Sequence, residues 1–343
     1  MKLVKLLGKR KIELIDAPIP KPNEGEVLIR TTVTAICGSE MEQFLASKAM
    51  AGNNGHEIVG VIEDPNGSTR YKKGERVGIA NIQGCGECYW CRQGKQICCR
   101  KAIGISNAHA QYIKSNERWL HPLPDDISDG VGVMLTADGF GVPYGAITKC
   151  ELKPGDICCV YGVGPVGQGI VLYLAYLGVK SIAMDINPLA LQKAERLGAW
   201  RTVNSKEKSD VNKEIMELTD GLGPKVSFDC CGVQEVFNGA LETTMPGGMV
   251  MTVAHGSHGI ESVRESLSFH VGADGSLWAR NLNVCGNWVC NFSDFQDMLS
   301  IVRKGFEIDK LIATRYSYTH SQKAYTQFEI NRGKTLLLWE DEK

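Results

Sequence analysis

The chain has 343 residues, 43% hydrophobic and 22% charged, an ordinary globular composition with room for two domains. A formal net charge of −1 excludes the basic field of a nucleic-acid or anionic-membrane binder, and no apolar run is long enough to span a bilayer. Thirteen cysteines behind a strand-like start, MKLVKLLGKRKIEL, that lacks signal-peptide character indicate reduced thiols, metal ligation and a cytoplasmic location.

Short alternating segments come first. Strands are predicted at Lys2–Leu6, Lys11–Ile15, Val27–Ala35, Ile58–Glu63, Glu75–Ile79 and Gln111–Lys114, with Pro18, Pro20 and Pro22 breaking the chain early. Cys37, in AICGSE, follows the third of these, and His56, in NGHEIVG, precedes the fourth. Cys85, Cys88, Cys91 and Cys99 then form a C-x2-C-x2-C-x7-C run. Thiolates at that spacing converge on one tetrahedral ion, and four of them make a closed structural zinc site. Gly84, Gly86 and Gly94 supply the turns.

From about Gly139 strands alternate with helices. Ile157–Tyr161, Ser181–Asp185, Val226–Cys230 and Met249–Ala254 read as strands. Val166–Leu177, a run ending near Gly198, and Gln234–Thr244 read as helices. Such alternation gives βαβ units and a parallel sheet covered on both faces. The loop Gly162-Val163-Gly164-Pro165-Val166-Gly167 follows a strand and opens a helix. Its glycines permit the tight turn, the backbone approach to a pyrophosphate and close helix packing. Asp185 ends the next strand, with Asn187 just beyond. A carboxylate there accepts the ribose hydroxyls and repels a 2′-phosphate, which selects NAD over NADP. A structural glycine turn ending in an exposed Asp is the plainer alternative. The strand VCGNW, helices at Phe292–Lys304 and Gln322–Asn331, and a strand at Lys334–Trp339 complete the chain. The expected domains are residues 1–138 completed by 284–343, β-rich and zinc-binding, with a doubly wound dinucleotide domain, 139–283, inserted.

The order Cys37, His56, four-cysteine lobe, GVGPVG resembles the medium-chain, zinc-dependent alcohol and polyol dehydrogenases, sorbitol-type branch, over nearly the whole chain. The resemblance implies a Rossmann sheet inserted in a GroES-like catalytic domain, one catalytic and one structural zinc, NAD, and a homodimer or homotetramer. It places Cys37 and His56 on the catalytic zinc and Glu57 beside it, able to approach the metal. The family's third ligand is a cysteine or glutamate at the foot of the helix leading to the cofactor domain. Here, in LTADGFGVPYGAI, Asp138 falls in that register. Asp138 is either the third ligand or the cap of that helix, and Glu57 is the other candidate for the third ligand. Ser39 occupies the family's proton-relay position. The next relay position, usually histidine, holds Glu42, which either relays, contacts a polar substrate or is a surface glutamate. Zinc binds the substrate oxygen and lowers its pKa, and the alkoxide passes hydride to the nicotinamide.

Other thiols and imidazoles weigh less. Cys98 is a spectator beside Cys99, and Cys158–Cys159 and Cys230–Cys231 read as core. His255 and His258, in AHGSHG, either line a substrate pocket or are solvated, and His109 and His121 have no ligand spacing. The leading reading is an NAD-dependent zinc oxidoreductase acting on a secondary alcohol of a polyol, sugar or aminocyclitol. The alternatives are a threonine- or simple-alcohol-type enzyme and a catalytically silent, zinc-stabilised binding protein. Only a small-molecule partner is expected, without nucleic acid or membrane.

Overall fold

Alternating apolar residues form the first hairpin, β1 (Lys2–Gly8) and β2 (Lys11–Asp16), with Leu6 opposite Ile12. Its turn residues Lys9 and Arg10 both take positive φ, 50° and 59°, a geometry usually left to Asn and Gly. Their amides donate to the carbonyls of Ala46 and Phe44, which ties the turn to the next segment. These coordinates are a computed structural model, which describes residues 1–207, 210–254, 267–269, 271 and 277–340.

The long strand β3 (Glu26–Ile36) leads through a single 3₁₀ turn into α1 (Met41–Leu45). β4 (Glu57–Asp64), β5 (Arg76–Ile79) and β6 (Ile82–Gln83) follow. The cysteine lobe holds α2 (Tyr89–Arg92) and β7 (Ile103–Gly104). Next come β8 (Tyr112–Asn116), β9 (Leu120–Pro122), α3 (Asp129–Thr136) and α4 (Asp138–Ile147). The parallel-sheet region comprises β10 (Ile157–Tyr161), α5 (Pro165–Tyr176), β11 (Lys180–Asp185), α6 (Pro188–Arg196), β12 (Arg201–Asn204) and α7 (Val211–Leu218). It continues with β13 (Val226–Asp229), α8 (Gln234–Thr243), β14 (Met249–Thr252) and β15 (Asn283–Gly286). The chain ends with α9 (Phe295–Arg303), β16 (Ile312–Ser317), α10 (Ser321–Asn331) and β17 (Lys334–Leu338).

Two compact units result, Met1–Gly141 with Val289–Lys343, and Val142–Trp288. The first is built on a sheet ordered β16-β17-β3-β4-β5-β9, with β8 also pairing β3. Antiparallel pairing of β3 with β4 sets Ala35 opposite Glu57. On the other side β17 runs antiparallel to β3, with Thr335 opposite Ile36. The end of β3 and the starts of β4 and β17 therefore share one edge of the sheet. The last strand of the chain is thus an integral part of the first unit. One core cluster gathers Val4, Leu6, Ile36, Phe44, Tyr325, Phe328 and Leu337 under β1, β3, β17 and α10.

The second unit is a six-stranded parallel sheet ordered β12-β11-β10-β13-β14-β15. This is the doubly wound order, in which the direction of winding reverses between β10 and β13. Cys159, Tyr161, Ile182, Phe237 and Val250 form its core. No helix among the described residues is long and apolar enough to cross a membrane.

Several elements escape the sequence pattern. α3 carries Gly130 and Gly132, which lower helix propensity, and only the Ser128 cap, accepting from the Val131 amide, marks it. It forms because it buries Val133, Met134 and Leu135 while packing on β3 and β4. β12 and α7 are short and interrupted by polar residues. β13 ends at Asp229, one residue earlier than expected. Cys230 and Cys231 accordingly lie half-buried in the following turn and not in a core strand, whereas Cys158 and Cys159 are fully buried.

His121, in β9, is sandwiched between Phe292 and Phe295 with ring centroids 4.1 and 4.4 Å away. Burial pushes its pKa down to about 3. An imidazole kept neutral in the folded chain but free to protonate when unfolded contributes stability that is complete above pH ~6.5 and is lost as pH falls toward 3. His121→Phe is therefore expected to move the acid-unfolding midpoint to lower pH. An unchanged acid limb in that variant contradicts this account.

Candidate metal centres and dinucleotide site

The cysteine lobe is a short chain folded around sulfur. Cys88 precedes α2, Cys91 lies within it, and Cys99 ends the following 3₁₀ turn. All four Sγ atoms of Cys85, Cys88, Cys91 and Cys99 lie within 4.8 Å of one another. Backbone amides point at the sulfurs, Cys88 N to Cys85 Sγ and Cys85 N to Cys99 Sγ, both at 3.4 Å. Hydrogen bonds from the backbone at Glu87 and Cys88 bring the Cys85 thiol down to about 6, while burial pushes Cys91 up to about 12. A Cβ on Gly84 would lie 2.4 Å from Cys91 Sγ, so the chain needs glycine to pass this close. Trp119 and Phe292 pack edge to face at 5.2 Å beside the lobe. Four sulfurs with converging amide donors suit a thiophilic tetrahedral ion and leave no ligand position open. Cys98 is exposed and belongs to neither group of metal-ligand side chains.

The second cluster forms where β3, β4 and α4 begin or end. Cys37 follows β3, and His56 directly precedes β4, which starts at Glu57. Asp138 is the first residue of α4. Its Oδ2 lies 3.5 Å from Cys37 Sγ and 3.0 Å from His56 Nε2, and Asn81 Nδ2 donates to its Oδ1 at 2.6 Å. Asp138 thus faces Cys37 and His56. His56 Nδ1 donates to the Asn54 carbonyl at 2.8 Å, which aims Nε2 into the cluster. Burial lowers the His56 pKa, but the hydrogen bond and charge of Asp138, then Cys37, raise it well above its ordinary value. Burial likewise raises Asp138, and His56, followed by Lys334, brings it below the ordinary carboxylate range.

Glu57 is fully buried and joins the same cluster. Lys334, 3% exposed at the start of β17, donates to its Oε1 at 2.5 Å. Its other oxygen, Oε2, has no hydrogen-bond partner among the described residues. Burial raises Glu57 to about 7. An orphaned buried oxygen beside a thiol, an imidazole and a carboxylate is the donor set of a divalent cation site, and Cys, His and Asp suit zinc.

Ser39 is exposed in the 3₁₀ turn after Cys37, where its carbonyl accepts from Asn54 Nδ2 at 3.3 Å. Glu42 is exposed on α1 and stands apart from the metal cluster. The sequence reading missed the supports of the cluster: Asn54, Asn81, Lys334, Glu40 and His109. A lysine inside the apolar run KTLLL was the one visible signal, since a buried lysine demands a carboxylate. His255 and His258 lie outside the described residues.

In the second unit Gly162 has φ 86°, and a Cβ there would meet Cys231 Sγ at 2.5 Å. A Cβ on Gly167 would lie 2.0 Å from the Gly162 carbonyl oxygen. Nothing lies within 4 Å of a Cβ on Gly164, the residue capping α5 ahead of Pro165, so that face of the loop is open. Val163 and Val166 complete the loop. Asp185 Oδ2 accepts from the Val163 amide and Oδ1 from the Asn187 amide, both at 2.9 Å. Asn187 in turn caps α6 through Leu189 N. The carboxylate is therefore oriented by the backbone at the end of β11, and the loop and helix terminus suit a pyrophosphate.

Two family models match the chain: "Alcohol dehydrogenase GroES-like domain" over residues 23–125 and "Zinc-binding dehydrogenase" over residues 165–304. The chain is 27% identical over 353 residues to L-threonine 3-dehydrogenase of Xanthomonas campestris, covering 98% of this chain and 99% of that protein. It is 29% identical over 268 residues to sorbitol dehydrogenase of Bacillus subtilis, covering 74% of each. Among solved structures it is similar to 2R,3R-butanediol dehydrogenase from Bacillus subtilis, with a TM-score of 0.82, 25% identity and 99% of each chain covered. An alcohol dehydrogenase from Thermus sp. ATN1 shares the fold with a TM-score of 0.88 at 22% identity, covering 99% of this chain and 100% of that one.

Purified protein is expected to carry two zinc ions per chain by native mass spectrometry. Cys91→Ser should lose one ion together with thermal stability. Asp138→Asn should lose the other, with turnover, and keep the lobe ion. A folded Cys91→Ser protein with full zinc, or Asp138→Asn with both ions, contradicts these assignments. Asp185→Ala is expected to lower kcat/KM for NAD roughly ten- to a hundredfold, the worth of a charge-assisted hydrogen bond, and to make NADP usable. A native preference for NADP overturns this reading of Asp185.

Proposed function

Because the chain belongs to the zinc-dependent, medium-chain alcohol dehydrogenase family and is a zinc-containing, NAD-dependent enzyme, we propose that it interconverts a secondary alcohol and a ketone on a polyol, sugar or aminocyclitol. The observation that carries the reading is the convergence of Cys37, His56 and Asp138 beside the unpartnered Glu57 Oε2. These three side chains would hold the catalytic zinc, and Cys85, Cys88, Cys91 and Cys99 the structural one. When bound, the catalytic ion supplies a Lewis acid that lowers the pKa of the substrate hydroxyl. NAD, seated on the Gly162–Gly167 loop and Asp185, supplies the hydride acceptor.

The chain's own groups do the rest. The Asn54 carbonyl holds the Nδ1 proton of His56, so the Nε2 lone pair is the one offered. Asn81 holds one oxygen of Asp138, leaving the other toward Cys37 and His56. Lys334 holds one oxygen of Glu57 and leaves Oε2 free to approach the centre. Ser39 Oγ, an exposed hydroxyl two residues from Cys37, donates and accepts at once and so passes a proton outward without becoming charged. Glu42, exposed on α1, is not needed for this path.

The polar-substrate reading rests on the segment between Cys37 and His56. Glu40 and Asn53 in it are buried and bonded within the protein, so they are not substrate contacts. Gln43 Oε1 and Asn54 Oδ1 are buried acceptors without a partner among the described residues. Leaving such an acceptor unpaired costs about 1–3 kcal/mol, so a substrate that brings O–H or N–H donors is favoured over an aliphatic alcohol. Substrates with an ammonium group satisfy the same acceptors, which keeps a threonine-type activity as the second reading, in line with the L-threonine 3-dehydrogenase relatives. Specificity constants with NAD should be higher for polyols, sugars or amino alcohols than for hexanol. A clear preference for hexanol removes the polar-substrate reading and leaves the zinc and NAD chemistry standing. Turnover of L-threonine above all polyols selects the second reading.

A further inference from the structure

Behind Cys37 lies a chain of buried polar groups that the reaction does not use. Glu40 and His109 are both fully buried and meet at 2.8 Å, Oε2 to Nε2. Glu40 Oε1 accepts the Cys37 amide at 2.8 Å, and Tyr325 on α10 donates its hydroxyl to Oε2 at 2.5 Å. On its other side His109 Nδ1 meets Thr34 Oγ1 at 2.7 Å, and Trp339 Nε1 donates to that same oxygen at 3.1 Å.

Hydrogen-bond accounting fixes the protons in this chain. The indole of Trp339 only donates, so Thr34 Oγ1 accepts there. The hydroxyl proton of Thr34 then has His109 Nδ1 as its acceptor. His109 is left with its proton on Nε2, directed at Glu40. The bonds therefore all run one way: Trp339 to Thr34, Thr34 to His109, His109 to Glu40. Glu40 also receives Tyr325 and ends the chain as a carboxylate holding Cys37 N–H.

The same histidine ties down the other ligand loop. Its amide and carbonyl bond to Asn53, whose Oδ1 also accepts the Gly55 amide next to His56. Its ring fills the space that a Cβ on Gly55 would need, with His109 Cδ2 2.5 Å away.

We propose that His109 is a positioning residue for the catalytic zinc: through Glu40 it fixes the backbone of Cys37, and through Asn53 and Gly55 the loop of His56. The inference rests on the assignment of Cys37 and His56 as ligands. His109 touches neither zinc ligand through its ring, and its effect on the metal is transmitted through the loops it holds.

The test is zinc release into a coloured chelator, followed together with thermal unfolding and steady-state kinetics, for the wild type, His109→Phe and His109→Gln. Phenylalanine keeps a planar ring and removes both ring hydrogen bonds. Glutamine restores a donor for Glu40 and an acceptor for Thr34. His109→Phe should release one of its two zinc ions faster by about ten- to a hundredfold, the usual effect of removing an outer support of a metal ligand, and the lobe zinc at an unchanged rate. The kcat of His109→Phe should fall more than its KM rises, and His109→Gln should recover most of both losses. Equal release rates in wild type and a folded His109→Phe, or a His109→Gln no better than His109→Phe, overturn the proposal. If His109→Phe does not fold, Tyr325→Phe, which removes one donor to Glu40, decides: faster release of a single zinc supports it and wild-type release overturns it. A wild type holding only the lobe zinc instead overturns the ligand assignment beneath it.

Discussion

Acidic side chains share a buried pocket when a cation joins them or a proton neutralises them. Cys37, Glu57 and Asp138 converge at one edge of the catalytic sheet, and the cations of the protein that face them are Lys334 and His56. Lys334 is spent on one oxygen of Glu57, and His56 is drawn toward Asp138. Breaking one partner out of a buried ion pair costs roughly 3–5 kcal/mol, so Glu57 depends on Lys334 and Asp138 on His56. A metal centre here would therefore add positive charge beside the buried acids as well as serve the reaction.

The sheet explains why the cluster is where it is. β3 delivers Cys37, and its two antiparallel neighbours deliver Glu57 and Lys334, one from each side. β17 comes from the far end of the sequence, so the C-terminal strand takes part in building the site instead of merely closing the sheet. The cysteine lobe obeys a different logic. Its helices are a single turn each and its small core sets Cys91 and Cys99 beside Ala80 and Trp119, so a bound ion would tie the four sulfurs together where apolar packing is thin. The second unit is held together differently. Its continuous apolar strands and its glycine loop make a cofactor platform by packing alone.

Much of this was legible beforehand because spacing and period carry it. The C-x2-C-x2-C-x7-C run and the strand–GVGPVG–helix sequence are local, so their geometry is written into neighbouring residues. The alternation of strands and helices gave the parallel sheet for the same reason. What was not legible depends on distant pairings. Asp138 is ambiguous in sequence because an acid at a helix start is either a cap or a ligand; its contacts with Cys37, His56 and Asn81, which favour the ligand, come from distant parts of the chain. Glu40 is one of several polar residues between Cys37 and His56, and His109 has no ligand spacing. Their meeting across β3, α10 and the loop before β8 is a tertiary event with no periodicity to announce it. α3 was hidden by its own glycines, and the Cys230–Cys231 pair was assigned to the core because the strand before it stops one residue short.

The central claim is that the buried acidic cluster at the end of β3 is a second, complete zinc site. Anomalous scattering from crystals at the zinc absorption edge tests it most directly. Two peaks per chain are predicted, one among the four lobe sulfurs and one in contact with Cys37 Sγ, His56 Nε2 and an oxygen of Asp138. A single peak in the lobe, from protein purified with excess zinc, or a second peak from which Asp138 is turned away, would contradict it.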